Sequence, residues 1–257
     1  MCELLYGIGD AAALAGNASN TKLTSFPDLV LEQVQIYTSL FEIPLQSAMR
    51  RLPKGVHPSV PALCCVTFWR CPAGDLGPFE LAFVGLTCRT GIKPRQLVQS
   101  AFASSEKARD FFRGEYGFSC QVATVRQRES YDRVLGKVDL DGKTILEMST
   151  NALVPLVGMG SFVKYAAALS FARANGKMGL VQLEASYEFK RVIRGVPQAL
   201  VFDSAALGDG TIAPVFPISG AHAIANLTLH PARYVVVPVR PAEEGGVTRI
   251  QRKDDAA

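Results

Sequence analysis

The sequence predicts a mainly β (α+β) fold, in which an antiparallel sheet closes or nearly closes into a barrel with a few short helices. Three observations carry this. Residues 133–140, then Asp141-Gly142, then Lys143 onward read as a tight hairpin, because Asp-Gly supplies the positive φ angles of a type I′ turn. Residues 178–194 read as one long strand, with Val181, Leu183, Ala185, Tyr187 and Phe189 alternating with polar neighbours. Helix signals are confined to short segments. Long antiparallel strands with little helix favour a barrel, which removes exposed sheet edges.

Residues 1–26 form a small-residue-rich lead, whose start is expected to dock on the domain or a partner and whose middle reads as a flexible connector. Residues 44–52 predict a short helix with Pro44 in its first turn and Pro53 ending it. The apolar run at 63–71 predicts a strand buried on both faces. Residues 79–88 and 95–103 read as further strands. Residues 104–113 are the best helix, with a serine N-cap, Glu106 in the first turn, and Gly114 and Gly117 past its end. Residues 121–129 alternate apolar and polar. A single domain is expected over 27–240, followed by a mobile polar tail at 241–257.

Composition narrows the function. The chain has 257 residues, 48% hydrophobic and 19% charged, which suits a folded domain with an ample core rather than a disordered chain. The net charge is +4 and the basic residues are dispersed, so no nucleic-acid partner is expected. Arg50-Arg51 and Lys190-Arg191 read as solvated surface. The first residues lack a basic leader region and no run reaches membrane-span length, so the expectation is a cytoplasmic protein with no membrane partner. Cys2, Cys64, Cys65, Cys71, Cys88 and Cys120 form no Cys-x-x-Cys pair, and His57, His222 and His230 are isolated. Neither a metal nor a cofactor is expected, and the cysteines read as buried reduced thiols.

The segment Arg113-Gly-Glu-Tyr-Gly-Phe-Ser-Cys-Gln-Val-Ala123 resembles the active-site segment of the acetoacetate decarboxylase superfamily. There a helix ends in a Gly-Arg-Glu-like turn, and an aromatic-Pro-Lys-Lys run starts the next strand. In that family the first lysine forms a Schiff base with a keto acid, and the second lowers its pKa by like-charge repulsion. Here Phe118 and Ser119 hold the aromatic and proline positions, and Cys120 and Gln121 stand where the lysines would be. Gly77-Pro-Phe-Glu80 resembles the family's Gly-Pro-Tyr-x-Glu strand, one residue shorter, which puts Glu80 on the family's catalytic glutamate. The family's carboxylate-holding arginine on the first strand has no counterpart, since the first arginine is Arg50. The resemblance runs from about residue 30 to 240 and rests on the order of the pieces. It implies the family's barrel and a homo-oligomer.

Glu80 is the leading catalytic candidate, because burial raises a carboxyl pKa toward the range useful for proton transfer; the alternative is a strand-end carboxylate facing solvent. Asp75 reads as a second acid or, in its glycine-flanked loop, a turn former. Cys120 reads as a packed thiol, since no base adjoins it in sequence. Gln121 would hydrogen-bond a substrate carbonyl, and Arg89 and Arg113 are the anion-holding candidates. Trp69, Phe68, Phe79, Phe83 and Phe118 line an apolar cavity or belong to the core. Glu80, Cys120, Gln121 and Phe118 are expected around one cavity. The partner is then a small molecule with a carbonyl and an apolar skeleton. Three readings follow: an enzyme working by acid–base chemistry without an imine, of lyase, isomerase or cyclase type; a non-catalytic hydrophobic-ligand binder; and a decarboxylase using a lysine from another strand, such as Lys164 or Lys190.

Overall fold

In the computed structural model of the protein, Asp141 and Gly142 take φ angles of 50° and 79°, and Leu140 pairs directly with Lys143. This is the two-residue hairpin that Asp-Gly encodes. The structure describes residues 5–16, 18–21, 26–90, 93–156, 167–174, 177–232, 234–239 and 247–249.

In chain order, the lead carries α1 (Ala11–Leu14) and β1 (Ser19–Asn20). β2 (Leu29–Glu42) passes through Pro44 into α2 (Leu45–Arg51), then β3 (His57–Pro58), β4 (Leu63–Cys71), β5 (Phe79–Thr90) and β6 (Lys93–Ala103). Next come α3 (Glu106–Tyr116), β7 (Cys120–Val122), β8 (Thr124–Glu129), and the hairpin of β9 (Arg133–Leu140) and β10 (Lys143–Pro155). The second half holds β11 (Ala168–Ala174), β12 (Lys177–Gln182), β13 (Glu184–Phe202), α4 (Ser204–Leu207), β14 (Phe216–His230), β15 (Tyr234–Val236) and β16 (Val247–Arg249).

Strands from both halves join one sheet in the order β16-β15-β12-β11-β6-β5-β4-β2-β14-β13-β10-β9-β8. The chain is mostly β with a few short helices, as expected, but the sheet departs on two counts from the expected antiparallel, closed or nearly closed barrel. The sheet is mixed, because β1–β11, β11–β6 and β6–β7 are parallel pairs. The β6–α3–β7 unit explains one of them: a helical crossover returns the chain in the direction it left. The sheet is also open. β7 bonds β6 and β8 bonds β9, and among the described residues no strand bonds both.

The open sheet is nevertheless strongly curled. β4 and β9 lie five steps apart along it, roughly 24 Å of sheet. Yet a Cβ built on Gly136 of β9 would meet the Phe68 ring of β4 at 2.6 Å. Two hydrophobic clusters result. One takes Tyr37, Phe68, Phe102, Val138 and Met148; the other packs Trp69, Phe83 and Phe118 against Ala108, Phe112 and Tyr116 of α3. β4 feeds both, sending Val66 and Phe68 to the first and Trp69 and Cys71 to the second, as a strand buried on both faces must.

Several boundaries differ from the expectation. Ser105, not Ser104, caps α3, accepting from the Ala108 N–H at 3.3 Å. Gly114 lies inside the helix, and Gly117 ends it at φ 72°. The run at 178–194 splits at Leu183, because its first part pairs with β11 and its second with β10 and β14. The lead is tied down: the Gly7 and Gly9 N–H groups donate to the Val56 and Leu52 carbonyls, and β1 pairs with β11 where a connector was expected. In the tail expected to be mobile, Val247–Arg249 pairs with β15, and the rest lies outside the described residues. The five described cysteines are all free and buried. Among the described residues no helix is long and apolar enough to cross a membrane.

Gly136→Val should destabilise the protein by about 1–3 kcal/mol in urea unfolding, since it forces atoms into the space of the Phe68 ring. An unchanged midpoint would mean that the ring and Gly136 do not meet.

Candidate functional site

Glu80 is the second residue of β5, opposite Arg70 of β4 across the loop between those strands. Its side chain is 21% exposed and its carboxylate lies 3.7 Å from the Arg70 Nε. The Gln127 backbone N–H of β8 donates to Glu80 Oε1 at 3.3 Å. The residue's own backbone is clamped by Ser104, whose Oγ accepts from Glu80 N–H at 2.8 Å and whose N–H donates to the Glu80 carbonyl at 2.9 Å. Burial pushes the carboxyl above the usual range, against the opposing pull of the Gln127 N–H, Arg70 and Arg126.

Glu80 opens onto a cavity of about 480 Å³ that it shares with Gln35, Arg70, Cys71, Phe79 and Ser104. The register explains the grouping. Gln35 pairs with Arg70 and Arg70 pairs with Glu80, so the three side chains stand in one row on the same face.

The other expected site residues do not converge there. Gln121 is exposed and lines a separate cavity of about 240 Å³ with Ser119, Ser100 and Arg51. Cys120 and Phe118 line neither cavity and are buried in the cluster under α3, as is Trp69. The Cys120 thiol is pushed up to about 12 by burial, with Arg113 and Arg109 pulling the other way, so it is no thiolate near neutral pH. Phe118 packs on Phe83 and Phe112 at ring-centroid distances of 5.6 and 5.7 Å, and Trp69 meets the same two rings edge-on. Asp75 is an exposed loop residue whose backbone carbonyl accepts from the Lys107 Nζ at 2.5 Å. Arg113, in the last turn of α3, and Arg89, near the end of β5, are both exposed and touch neither cavity. Lys190 is exposed, and Lys164 lies outside the described residues. One cavity holding Glu80, Cys120, Gln121 and Phe118 is therefore corrected. Strand parity is the reason: Cys120 and Gln121 are neighbours on β7 and face opposite ways.

Sequence reading missed a second polar group. His222 on β14 is fully buried between Tyr37 and Ile193 in register, and among the described residues neither ring nitrogen has a hydrogen-bond partner. Its Nδ1 lies 3.7 Å from Glu129 Oε2. Arg191 NH2 contacts both Glu129 oxygens at 2.5 Å. Beside it the Tyr37 hydroxyl bonds Thr150 Oγ1 at 3.0 Å. Burial lowers the His222 pKa to about 4, with Glu129 raising it and Arg191 lowering it. These residues are remote in sequence, and no local spacing signals them. Arg70 was more accessible to reasoning, as a lone cation closing an apolar strand before the tight loop that leads to Glu80. Among the described residues no group of three or more His, Cys, Asp or Glu could hold a metal ion.

No protein-family profile and no curated protein sequence matches the chain. Solved structures do. The enduracididine biosynthesis enzyme MppR complexed with pyruvate is similar at 18% identity and a TM-score of 0.68, over 84% of this chain and 92% of that one. An acetoacetate decarboxylase is similar at 10% identity and a TM-score of 0.72, over 83% and 91%. The acetoacetate decarboxylase of Legionella pneumophila gives 14% and 0.72, over 83% and 88%. At these identities the likeness is one of fold, and the fold is acetoacetate decarboxylase-like.

His222 carries a pH prediction. The folded protein keeps the ring neutral down to about pH 4, whereas the ordinary value is 6.5. Between those values the unfolded chain binds the additional proton, so stability falls as pH drops through that window. Urea unfolding from pH 7.5 to 4 should show this fall, and His222→Leu should flatten it. Equal slopes in both proteins would place the titration on another group.

Proposed function

We propose that the protein is an enzyme that moves protons on a carbonyl-containing small molecule at the Glu80 cavity, without forming an imine. One observation carries this reading. The Glu80 carboxyl has a raised pKa at the edge of a cavity of small-molecule size, with Arg70 beside it as the charge partner. A carboxylate with a raised pKa is a better base when ionised and holds its proton nearer neutrality, so it can serve both halves of a proton transfer.

In the proposed step Glu80 removes a proton from the carbon next to the carbonyl. The C–H electron pair forms a C=C bond, and the carbonyl π pair moves onto oxygen. Arg70 donates to that oxygen as negative charge develops, the role first assigned to Gln121. Protonated Glu80 then returns the proton to that carbon as the oxygen pair re-forms the carbonyl, giving exchange, or gives it to the oxygen, leaving the enol isomer. Where the next carbon carries a hydroxyl, the re-forming carbonyl pushes the C=C pair into the bond between the two carbons, the C–O bond breaks, and the hydroxyl leaves as water with the Glu80 proton, giving dehydration. The fold neighbour complexed with pyruvate supports a small keto compound as the substrate class. Cys120 and Gln121 at the positions where the related family carries lysines, and the exposure of Lys190, support chemistry without an imine.

A second reading, ligand binding without turnover, is favoured by the Gln127 N–H bond to Glu80 Oε1, because it gives the carboxylate a purely structural task. Proton exchange separates the two. The protein should speed deuterium incorporation from D₂O into pyruvate or 2-oxobutyrate beside the carbonyl, faster as pH rises and Glu80 ionises. Glu80→Gln keeps an oxygen acceptor for Gln127 and should lower that rate by roughly 10²–10⁴-fold with little change in melting temperature. Cys120→Ser should cost far less. Absence of exchange by the unmodified protein would leave the binding reading, and full exchange by Glu80→Gln would remove Glu80 from the chemistry. Borohydride reduction with pyruvate should leave the protein mass unchanged. A reduced adduct on a lysine would restore the imine route.

A further inference from the structure

β6 changes partner along its length. Residues 96 and 97 bond β11, and residues 101–103 bond β7. Residues 98–100 fall between, and among the described residues no strand pairs with them on that side. The cavity of about 240 Å³ fills this gap, covered by residues of α1 and α4. It holds about eight water-sized groups.

Arg51 is the one charged side chain among the described residues lining the gap. It is held there: its side chain is 18% exposed, its Nε donates to Gln99 Oε1 at 2.9 Å, and its NH1 lies 3.4 Å from Asp209 Oδ2. A guanidinium has five N–H donors, so these two contacts leave others to spend on a ligand. Ser100 also lines the cavity, and its buried hydroxyl has no hydrogen-bond partner among the described residues. A buried hydroxyl without a partner marks a place where a polar atom is wanted. Ser119 and Gln121 add further polar groups, whereas Leu14, Phe171 and Leu207 form an apolar wall.

We infer that this gap binds a small organic acid, with Arg51 holding its carboxylate, Ser100 donating to it and the apolar wall packing its short carbon chain. The apolar wall sets the class, since inorganic phosphate has nothing to place against Leu14, Phe171 and Leu207. Asp209 is a competitor. Its side chain is 42% exposed and it meets Arg51 from the rim, where an entering carboxylate takes its place. Among the described residues the site shares no lining side chain with the Glu80 cavity.

The test titrates butyrate and inorganic phosphate into the full-length protein by calorimetry. Butyrate should bind and phosphate should bind at least tenfold more weakly. Arg51→Gln should weaken butyrate binding by roughly tenfold or more, the loss expected for a charged hydrogen-bond donor. Asp209→Asn should tighten it, a gain that misfolding cannot mimic. Glu80→Gln should leave it unchanged, which separates this site from the proposed catalytic cavity. Equal binding of phosphate, full binding by Arg51→Gln, weaker binding by Asp209→Asn, or loss of butyrate binding in Glu80→Gln would each overturn the inference.

Discussion

The contact of Phe68 with Gly136 ties together two strands five places apart in the sheet, and the curl it enforces governs the rest of the molecule. Only a residue without a side chain leaves space for the ring at that point. Once the sheet curls this far, its two faces become different environments. One receives Tyr37, Phe102, Val138 and Met148, and the other is left to be covered by α3. The curl also brings β8 within reach of β5 without a ladder between them. The Gln127 N–H then finds the Glu80 carboxylate where a neighbouring strand's carbonyl would otherwise be. A side chain performs a backbone task, and that side chain is the leading catalytic candidate.

Register decides where polarity gathers on the inner face. Ile224, Gln35, Arg70 and Glu80 form one row across four strands, and His222, Tyr37, Phe68 and Ala82 form a row two residues away. The Phe68 row is closed by stacked aromatic rings, with Tyr37 and Phe68 centroids 5.7 Å apart. The row beyond it holds Arg70, Glu80 and, opposite Ile224, Arg191; Glu80 meets Arg70, and Arg191 meets Glu129 of β8. Such partly exposed pairs contribute modestly to stability. His222, beside the Glu129–Arg191 pair, is kept neutral chiefly by its own burial.

Local chemistry was legible in the sequence and long-range pairing was not. The Asp141-Gly142 turn, the buried strand at 63–71 and the helix after Ser105 each depend on residues within a few positions, and each forms. The mixed, open sheet depends on which distant strands meet. A helical crossover from β6 to β7 looks the same in sequence whether or not the ring closes. His222 looked isolated because Glu129 reaches it only through the curl, and Arg191 stands near it only through the pairing of β13 with β14. The division of Cys120 from Gln121 was within reach. The argument that sends Cys64 and Cys65 to opposite faces of a strand applies equally to any adjacent pair, and it excludes one cavity shared by both side chains.

That division also bears on what each face of β7 offers. The Cys120 face of β7 is aromatic core, where burial keeps the thiol protonated and leaves it nothing to attack. The other face offers Gln121, an amide that can donate and accept but cannot change charge. Neither side chain carries the amine that an imine needs. The capacity for acid–base work lies across the sheet on β5, where a carboxylate pushed up by burial stands beside a guanidinium. The turn retains a binding face, next to a gap in the sheet with an arginine already inside it. Strand parity thus separates the Cys120 and Gln121 side chains, and the change of partner along β6 opens the gap beside the second of them.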